Sequence, residues 1–315
     1  MITPMITRRH LLAAIPALGI IPARAATPGT LLRVGFQKGE PILLAARQNG
    51  SLETLLNPLG IEVQWIEFQF GPPMLEAMRA DAVDIGAVGD TPPVFAQAAH
   101  GDLLYVAAQR SGGQAILVPS GSALQTLHDL KGRKVAFGRG SAAQNLTLAA
   151  LEKAGLSYDD IQPLYLGPAD AGAAFERGAI DAWTIWDPYY ALFETRPGVR
   201  TLAKWTDITE QNSFFMARRA YVEANEPVVT KLVGAFAEIA EWARGHRPEL
   251  AARLAEATGM PLDAVQRGVD RAPFVVLPMT ADLARSQQTI AGRFHALGLI
   301  PAEIKVSDQI WRPGA

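Results

Sequence analysis

Short apolar runs alternate with helix-patterned segments along most of the chain. LLRVGF (31–36) is typical of a buried strand, whereas EPILLAARQNGSLETLL (40–56) spaces its apolar residues three and four positions apart and predicts a helix. Further strands are predicted over 60–68, 83–89, 133–140, 161–167 and 180–186, and further helices over 72–80, 91–101, 141–155, 171–179 and from 187. This strand–helix–strand order predicts an α/β fold whose mostly parallel sheets are covered by helices on both faces.

Two parts of this pattern resemble each other. DIGAVGD (84–90) matches DAWTIWD (181–187) 97 residues later, and VGFQKG (34–39) matches VAFGRG (135–140) 101 residues later. Such an internal match predicts two lobes built to one plan, although α/β units also share a pattern by chance.

The chain between and after the two matches predicts how the lobes are joined. QAILVPSG (114–121) and NSFFMARRA (212–220) flank the second lobe, and we expect both to cross between the lobes as strands that form a hinge. Lobe I would then be discontinuous, and lobe II would be an insertion. The expected boundaries are 28–117 with 214–315 for lobe I, and 118–213 for lobe II. The segment from Pro227 onward is mostly helical and should pack on one of the lobes, without a sheet of its own.

The first 25 residues follow a different pattern. Arg8 and Arg9 precede an apolar run over 11–23, and Ala23-Arg24-Ala25 ends it, which is typical of an export signal peptide. Paired arginines before two leucines resemble the twin-arginine variant, with an ordinary export signal as the alternative. We therefore expect a periplasmic mature chain that begins near residue 26.

Composition excludes several classes of function. Hydrophobic residues make up 49% of the chain and charged residues 19%, which favours a folded globular protein. The net charge of −2 provides no basic footprint for nucleic acid. No cysteine is present, so disulfides, a lipid-anchored cysteine and a thiol nucleophile are excluded. The histidines lack the spacing of a zinc motif, and no Gly-x-Ser-x-Gly run occurs, so we expect neither a cofactor nor an enzyme.

Candidate chemistry is concentrated where strands end and helices begin. Ligands of open parallel sheets bind beyond the carboxyl ends of the strands, and a helix N-terminus offers free N–H groups to an anion. Four such junctions are expected to face one cleft: Gln37-Lys38-Gly39, Gly89-Asp90-Thr91-Pro92, Gly138-Arg139-Gly140-Ser141 and Trp186-Asp187-Pro188.

Each junction residue also has a purely structural interpretation. The polar ones could serve only as helix N-caps, and Asp90 with Asp187 could instead form a carboxylate pair for acid–base chemistry. Trp186 is expected to form a flat apolar wall of the cleft, whereas Trp183 is expected in the core.

Several runs together resemble one family, the periplasmic aliphatic-sulfonate-binding proteins of ABC importers, within the nitrate, sulfonate and taurine binding group. These runs are VGFQKG, GAVGDTPPVFAQAA, LKGRKVAFGRGS, LEKAGLSYDDIQPLYL and ADAGAAFERGAIDAWTIWDPY. The resemblance implies a two-lobed periplasmic-binding-protein fold, a monomer that closes on a small organosulfonate and delivers it to a permease driven by an ATPase. The implied ligand-binding residues are Gln37, Gly89, Asp90, Thr91, Ser141, Gln144, Trp186 and Asp187.

Two departures from the family pattern leave the ligand open. Asp90 stands where relatives commonly carry glutamate, and the link at 110–113 is shorter than in many relatives. Alternatives are the same fold binding taurine, nitrate or a thiamine-precursor pyrimidine, and a sensor receptor that does not transport.

Overall fold

Two β-sheets form the centres of two lobes in the computed structural model, which describes residues 31–314. The expected export signal lies outside the described residues. The strands, in chain order, are β1 (Leu31–Gln37), β2 (Glu62–Phe68), β3 (Ile85–Gly89), β4 (Leu103–Arg110), β5 (Gln114–Pro119), β6 (Lys134–Phe137), β7 (Gln162–Tyr165), β8 (Ala182–Trp186), β9 (Val199–Lys204), β10 (Asn212–Arg218) and β11 (Val276–Leu277).

The two sheets share one topology over five strands, and lobe I has β11 as an additional edge strand. Lobe I has the order β11-β4-β10-β3-β1-β2, and lobe II has the order β7-β6-β8-β5-β9. When one order is reversed, β1, β3 and β4 of lobe I correspond to β6, β8 and β9 of lobe II, and β10 corresponds to β5. In each sheet one strand that arrives from the other lobe, β10 or β5, runs antiparallel to its neighbours. The internal sequence match therefore reflects two lobes of one plan, as predicted.

Helices cover both sheets and begin close to the predicted positions. They are α1 (Pro41–Asn49), α2 (Ser51–Leu56), α3 (Gly71–Arg79), α4 (Thr91–Ala98), α5 (Ala142–Lys153), α6 (Pro168–Glu176), α7 (Tyr189–Glu194), α8 (Arg219–Ala224), α9 (Glu226–Gly245), α10 (Arg247–Thr258), α11 (Leu262–Arg271) and α12 (Ala281–Ala296). The helix predicted over 40–56 is broken at Gly50, whose φ of +61° ends α1 in the left-handed conformation that glycine favours.

The connections between the lobes differ from the expected ones. All of β5 pairs within the lobe II sheet, and all of β10 pairs within the lobe I sheet, so neither strand crosses. The chain passes between the sheets at 111–113 and 205–211, a few residues from the expected boundaries at 117/118 and 213/214. Local sequence could not locate these passages, because the partners of β5 and β10 are distant in the chain.

The C-terminal segment packs on lobe I. Phe236 of α9 stacks on Phe215 of β10 with ring centroids 4.3 Å apart, and α10 and α11 contribute to the same core. The short strand β11 pairs with β4, so this segment has no sheet of its own, as expected, but adds an edge strand to the lobe I sheet that was not predicted. Among residues 31–314, no helix has the length and apolar character needed to cross a membrane.

Candidate ligand-binding site

A cavity of about 140 Å³ lies between the lobes, beyond the carboxyl ends of the parallel strands. Lobe I contributes the ends of β1, β3 and β4 and the start of β10, and lobe II contributes the start of α5, the end of β8 and the first residue of β5. Of the expected ligand-binding residues, the lining includes Gln37, Gly89, Ser141, Trp186 and Asp187. The convergence of strand ends expected for this fold is therefore present.

One end of the cavity is formed by backbone from both lobes. Gly89 ends β3 and faces Ala142, the first residue of α5, so closely that a Cβ atom on Gly89 would lie 2.8 Å from Ala142 Cβ. The first N–H groups of a helix have no carbonyl partner within the helix, and the helix dipole is positive there. The Ser141 hydroxyl donates to the Gly138 carbonyl at 2.7 Å. The start of α5 therefore offers an anion its backbone N–H groups rather than this hydroxyl.

Gln37 and Trp186 also line the cavity. Gln37 Nε2 donates to the Ala87 carbonyl at 2.8 Å, which ties the end of β1 to β3. The Trp186 indole packs on the facing lobe, because a Cβ atom on Gly39 would lie 2.9 Å from its Cδ1 and Nε1 atoms. Gln114 pairs with Trp186 in the register of β5 and β8, so their side chains share the face that lines the cavity.

Asp187 follows Trp186 and connects the cavity to the first interlobe passage. Its Oδ1 accepts from the Ala191 N–H at 3.0 Å and lies 3.6 Å from Arg271 Nη1, while Oδ2 has no partner in the part of the chain that the structure describes. Burial raises the pKa of Asp187 to about 7, and the charge of Arg271 opposes this rise. The Asp187 N–H also donates to the carbonyl of Gly113, whose φ is +74°. A Cβ atom on Gly113 would lie 1.8 Å from Oδ2, so this passage requires glycine.

Asp90, Thr91 and Gln144 lie behind the cavity wall and not in its lining. The Asp90 carboxylate accepts from the Thr91 hydroxyl and from Asn145 Nδ2, both at 2.8 Å. Gln144 Oε1 accepts from the Gly140 N–H at 2.7 Å. Burial raises the pKa of Asp90 to about 6, although the hydrogen bonds from Thr91 and Asn145 act against the rise. In contrast to the expectation from the sequence, these three side chains support the walls, because local hydrogen bonds occupy them.

The two aspartates do not form the carboxylate pair considered as an alternative. Asp187 lines the cavity, whereas Asp90 lies outside its lining with both oxygens occupied. Asp90 and Asp187 therefore do not face one bound molecule as a pair.

Sequence reasoning missed most of the apolar wall. This wall comes from the C-terminal segment and consists of Leu254 in α10, Val265, Val269 and Ala272 in or just after α11, and Phe274. The apolar residues of α11 recur at helical spacing, which was a usable signal for one buried face. That the face borders a cavity depends on how α10 and α11 pack on lobe I, which the local pattern does not specify.

Glu40 is an acidic lining residue that was also not predicted. It caps α1 by accepting from the Leu43 N–H at 2.7 Å, and it also accepts from Gln109 Nε2 at 2.8 Å. Burial raises the pKa of Glu40, and these hydrogen bonds oppose the rise. An acidic residue directly before Pro41 at the helix start was the available signal for a cap.

Two lobes of one topology, joined by two short passages around a cleft at their strand ends, define a two-lobed substrate-binding protein. The chain belongs to the family of periplasmic substrate-binding proteins of ABC transporters. The family model that matches residues 46–259 is described as "ABC transporter, phosphonate, periplasmic substrate-binding protein".

Several similar proteins are named for sulfonates. A relative from Escherichia coli (strain K12) named for aliphatic sulfonates is 39% identical over 305 residues, which cover 96% of this chain and 95% of the relative. The alkanesulfonate-binding protein SsuA from Xanthomonas axonopodis pv. citri, solved bound to MOPS, has a TM-score of 0.85 at 39% identity, covering 91% of this chain and all of that one. The periplasmic aliphatic sulphonate binding protein SsuA from Escherichia coli has a TM-score of 0.82 at 40% identity, covering 90% and 92%.

More distant similarity extends to other functions. A taurine-binding periplasmic protein of Escherichia coli is 24% identical over 243 residues, 72% of this chain and 73% of that protein. The desulfurization enzyme DSZB has a TM-score of 0.63 at 16% identity, covering 89% of this chain and 96% of the enzyme, which shows a common fold alone.

Proposed function

We propose that this chain is the substrate-binding component of an ABC importer for aliphatic sulfonates. The observation that carries the proposal is the division of the cavity into two chemically different parts. Backbone from Gly89 and the start of α5 forms one end, and Trp186 with the apolar side chains of α10 and α11 forms a wall. Such a cavity matches a ligand with an anionic head and an apolar tail.

A sulfonate is the anion that this head site suits best. It stays ionised at physiological pH and has no proton to donate, so hydrogen-bond donors alone satisfy it, and helix N–H groups are donors only. Glu40 and Asp187 also line the cavity, and burial already raises the pKa of both carboxyl groups. A doubly charged phosphonate or phosphate would repel these groups more strongly than a singly charged sulfonate, which favours sulfonate selectivity.

The alternatives use the cavity less completely. Nitrate has no organic part and would leave the wall of Val265, Val269 and Phe274 without a contact. Taurine has a short polar tail that gains little from this apolar surface. We propose binding without turnover, because in residues 31–314 no serine of the cavity lining is hydrogen-bonded to Glu40, Asp187 or Lys38, and the Ser141 hydroxyl donates to a backbone carbonyl instead.

Titration calorimetry of the expected mature chain (residues 26–315) tests this proposal. The ligands are pentanesulfonate, taurine, nitrate, sulfate and methylphosphonate, in a buffer free of sulfonic acids. Pentanesulfonate should bind most tightly. Trp186→Ala should raise its Kd at least roughly tenfold, because a large apolar contact is lost. Trp242→Ala serves as the control, since Trp242 lies in α9 of lobe I, outside both the cavity lining and the interlobe passages. Tighter binding of methylphosphonate or nitrate than of pentanesulfonate would overturn the assignment.

The route to the periplasm is part of the same proposal. Arg8 and Arg9 precede the apolar run of the expected signal, so export by the twin-arginine route should stop when both are replaced by lysine. Accumulation of precursor in the cytoplasm of cells expressing Arg8→Lys with Arg9→Lys would agree. Normal export of that double variant would point to an ordinary signal. The partners proposed are a permease and its ATPase, and loss of pentanesulfonate uptake on deletion of this protein separates import from a sensor role.

A further inference from the structure

One face of α5 in lobe II docks on lobe I. Asn145, Leu148 and Glu152 recur on that face at spacings of three and four. Leu148 is 2% exposed and packs in a core cluster whose other buried members all come from lobe I, among them Leu75 and Phe294. One face of the helix that begins at the cavity therefore contacts the opposite lobe, whereas Ala143, Ala150 and Leu151 pack in the core of lobe II.

A chain of polar contacts accompanies this docking and alternates between the lobes. Asn145 Nδ2 donates to Asp90 Oδ2 at 2.8 Å, and Asn145 Oδ1 accepts from Arg293 Nη1 of α12. Arg293 Nε then donates to Glu152 Oε1 at 2.7 Å. Asn145 thus uses both amide atoms between the lobes, and it and Asp90 are each only 1% exposed.

Lobe I holds its part of this chain rigidly. Gln287, nearly two turns before Arg293 on the same helix, donates to the Asp90 backbone carbonyl and to the Tyr105 hydroxyl. The helix α12 is therefore fastened to the β3–α4 junction independently of lobe II. Lobe II has only to bring Asn145 and Glu152 to a surface that is already formed.

The contacts are adjacent to the ligand cavity without touching it. Asp90 follows Gly89, and Asn145 lies one turn after Ala142, so the hydrogen bond between them fixes the spacing of the two backbone pieces that form the anion end. We infer that Asn145 and Arg293 are positioning residues for ligand capture: with Asp90 and Glu152 they form an interlobe clasp that holds Gly89 against the start of α5. This inference rests on the proposed function, because it concerns how the same cavity retains its ligand.

Polar groups suit a clasp that must open again. When the lobes separate, Asp90 keeps the hydrogen bond from the Thr91 hydroxyl within its own lobe, and water can replace Asn145. Arg293 and Glu152 are partly exposed already, so their hydration on opening is favourable. Closure therefore exchanges hydrogen bonds to water for hydrogen bonds between the lobes, and we expect ligand binding to shift the equilibrium toward the closed form.

The clasp predicts separate effects on ligand release and on lobe separation. Asn145→Ala or Arg293→Ala should release pentanesulfonate at least roughly tenfold faster, because a buried hydrogen bond to a charged group is lost only in the closed form. Arg285→Ala is the matched control, since among residues 31–314 the ion pair of this arginine, which lies on the same helix, is with exposed Asp282. Stopped-flow fluorescence of Trp186 measures the release rate, and thermal unfolding verifies that each variant folds.

Lobe separation is measured by a spin-label distance between Ser286→Cys on lobe I and Asp159→Cys on lobe II. Both sites are exposed, and the chain has no cysteine of its own to compete for the label. Asn145→Ala should broaden and lengthen this distance in the presence of ligand. Glu152→Arg should do the same by repelling Arg293, and adding Arg293→Glu should restore part of the closed population by reversing the pair. Asn145→Ser replaces Asn145→Ala if the latter fails to fold.

The outcomes separate the clasp from the proposed function. The clasp is refuted if the wild type binds pentanesulfonate but the clasp variants have the same release rate and the same spin-label distance distribution as Arg285→Ala. If the wild type binds no sulfonate, the proposed function fails, and the ligand-free distance distributions still decide on the clasp. Identical ligand-free distributions for the wild type, Asn145→Ala and Glu152→Arg would then refute it.

Discussion

Replacing Gly89 by alanine should weaken ligand binding without weakening the fold. Gly89 has ordinary backbone angles, so alanine causes no strain within lobe I, but its Cβ atom would lie 2.8 Å from Ala142 Cβ of lobe II. Carbon atoms pack best at about 3.5–4.0 Å, so the closed lobes would have to separate by roughly 1 Å at this point. The start of α5 would then recede from the anion.

The size of the effect follows from the cost of overpacking. Inserting one extra carbon into a close contact costs about 1–3 kcal/mol. At about 1.4 kcal/mol per tenfold change, Kd for pentanesulfonate should rise by about 5- to 140-fold. We expect this contact to form only on closure, so the free energy of unfolding of the ligand-free protein should stay unchanged. Calorimetry gives Kd, and urea unfolding gives the free energy of unfolding.

Two other glycines provide matched controls. Gly35→Ala would place a Cβ atom 2.9 Å from Met74 Cγ within lobe I, so it should lower the free energy of unfolding. Gly121→Ala meets no heavy atom within 4 Å and should change neither quantity. Wild-type affinity for Gly89→Ala would refute the argument that closure brings these backbones together. A loss of stability like that of Gly35→Ala would show instead that the contact belongs to the folded lobes in every state.

Three further predictions concern buried charge and the cavity wall. Asp187→Asn should remove a pH dependence of stability. The pKa of Asp187 in the folded protein, about 7, lies above the value in the unfolded chain, so the stability of the wild type falls as pH rises from about 4 through 7. In urea unfolding at pH 8 the variant should therefore be more stable than the wild type by up to about 4 kcal/mol. Burial would raise the pKa of Asp84, but hydrogen bonds from Arg33 and Arg218 lower it overall. Asp84→Ala should therefore lower the free energy of unfolding by about 3–5 kcal/mol, because it leaves two arginines without their shared partner. A loss below about 1 kcal/mol would contradict a stabilising role of this network. Val269→Phe should narrow the apolar part of the cavity and therefore raise the Kd of octanesulfonate more than that of ethanesulfonate. Equal changes in the two Kd values would show that the alkyl tail lies elsewhere.

The sequence predicted the strand ends well because their position follows from regular rules. Parallel strands put their carboxyl ends on one edge, so Gln37, Gly89, Ser141 and Trp186 could be assigned to one cleft from spacing alone. The direction of a hydroxyl is decided by competition between nearby acceptors. Thr91 donates to Asp90 and Ser141 lies against the Gly138 carbonyl, and neither outcome has a signature in the pattern of the sequence.

Strands with distant partners were harder to predict. The strand β4 pairs with β10 and β11, and β9 pairs with β5, all through contacts between remote parts of the chain, and neither β4 nor β9 was predicted. The assignment of β5 and β10 to crossing segments was wrong for the same reason, since their pairing places each wholly inside one sheet. Local patterns describe an element, whereas sheet membership depends on partners that become adjacent only on folding.

The approximate symmetry of the lobes explains why the cavity has two unlike ends. In topology β3 corresponds to β8, and the β1–α1 junction corresponds to the β6–α5 junction. Accordingly Gly89, at the end of β3, contacts the start of α5, and Trp186, at the end of β8, contacts Gly39 before α1. The two contacts are equivalent in architecture but differ in side-chain size. Where both partners are small, helix N–H groups can reach an anion; where an indole fills the same position, the wall is apolar. Under the proposed function, a single exchange of residue size within a repeated plan would thus provide both the head site and part of the tail site for one amphipathic ligand.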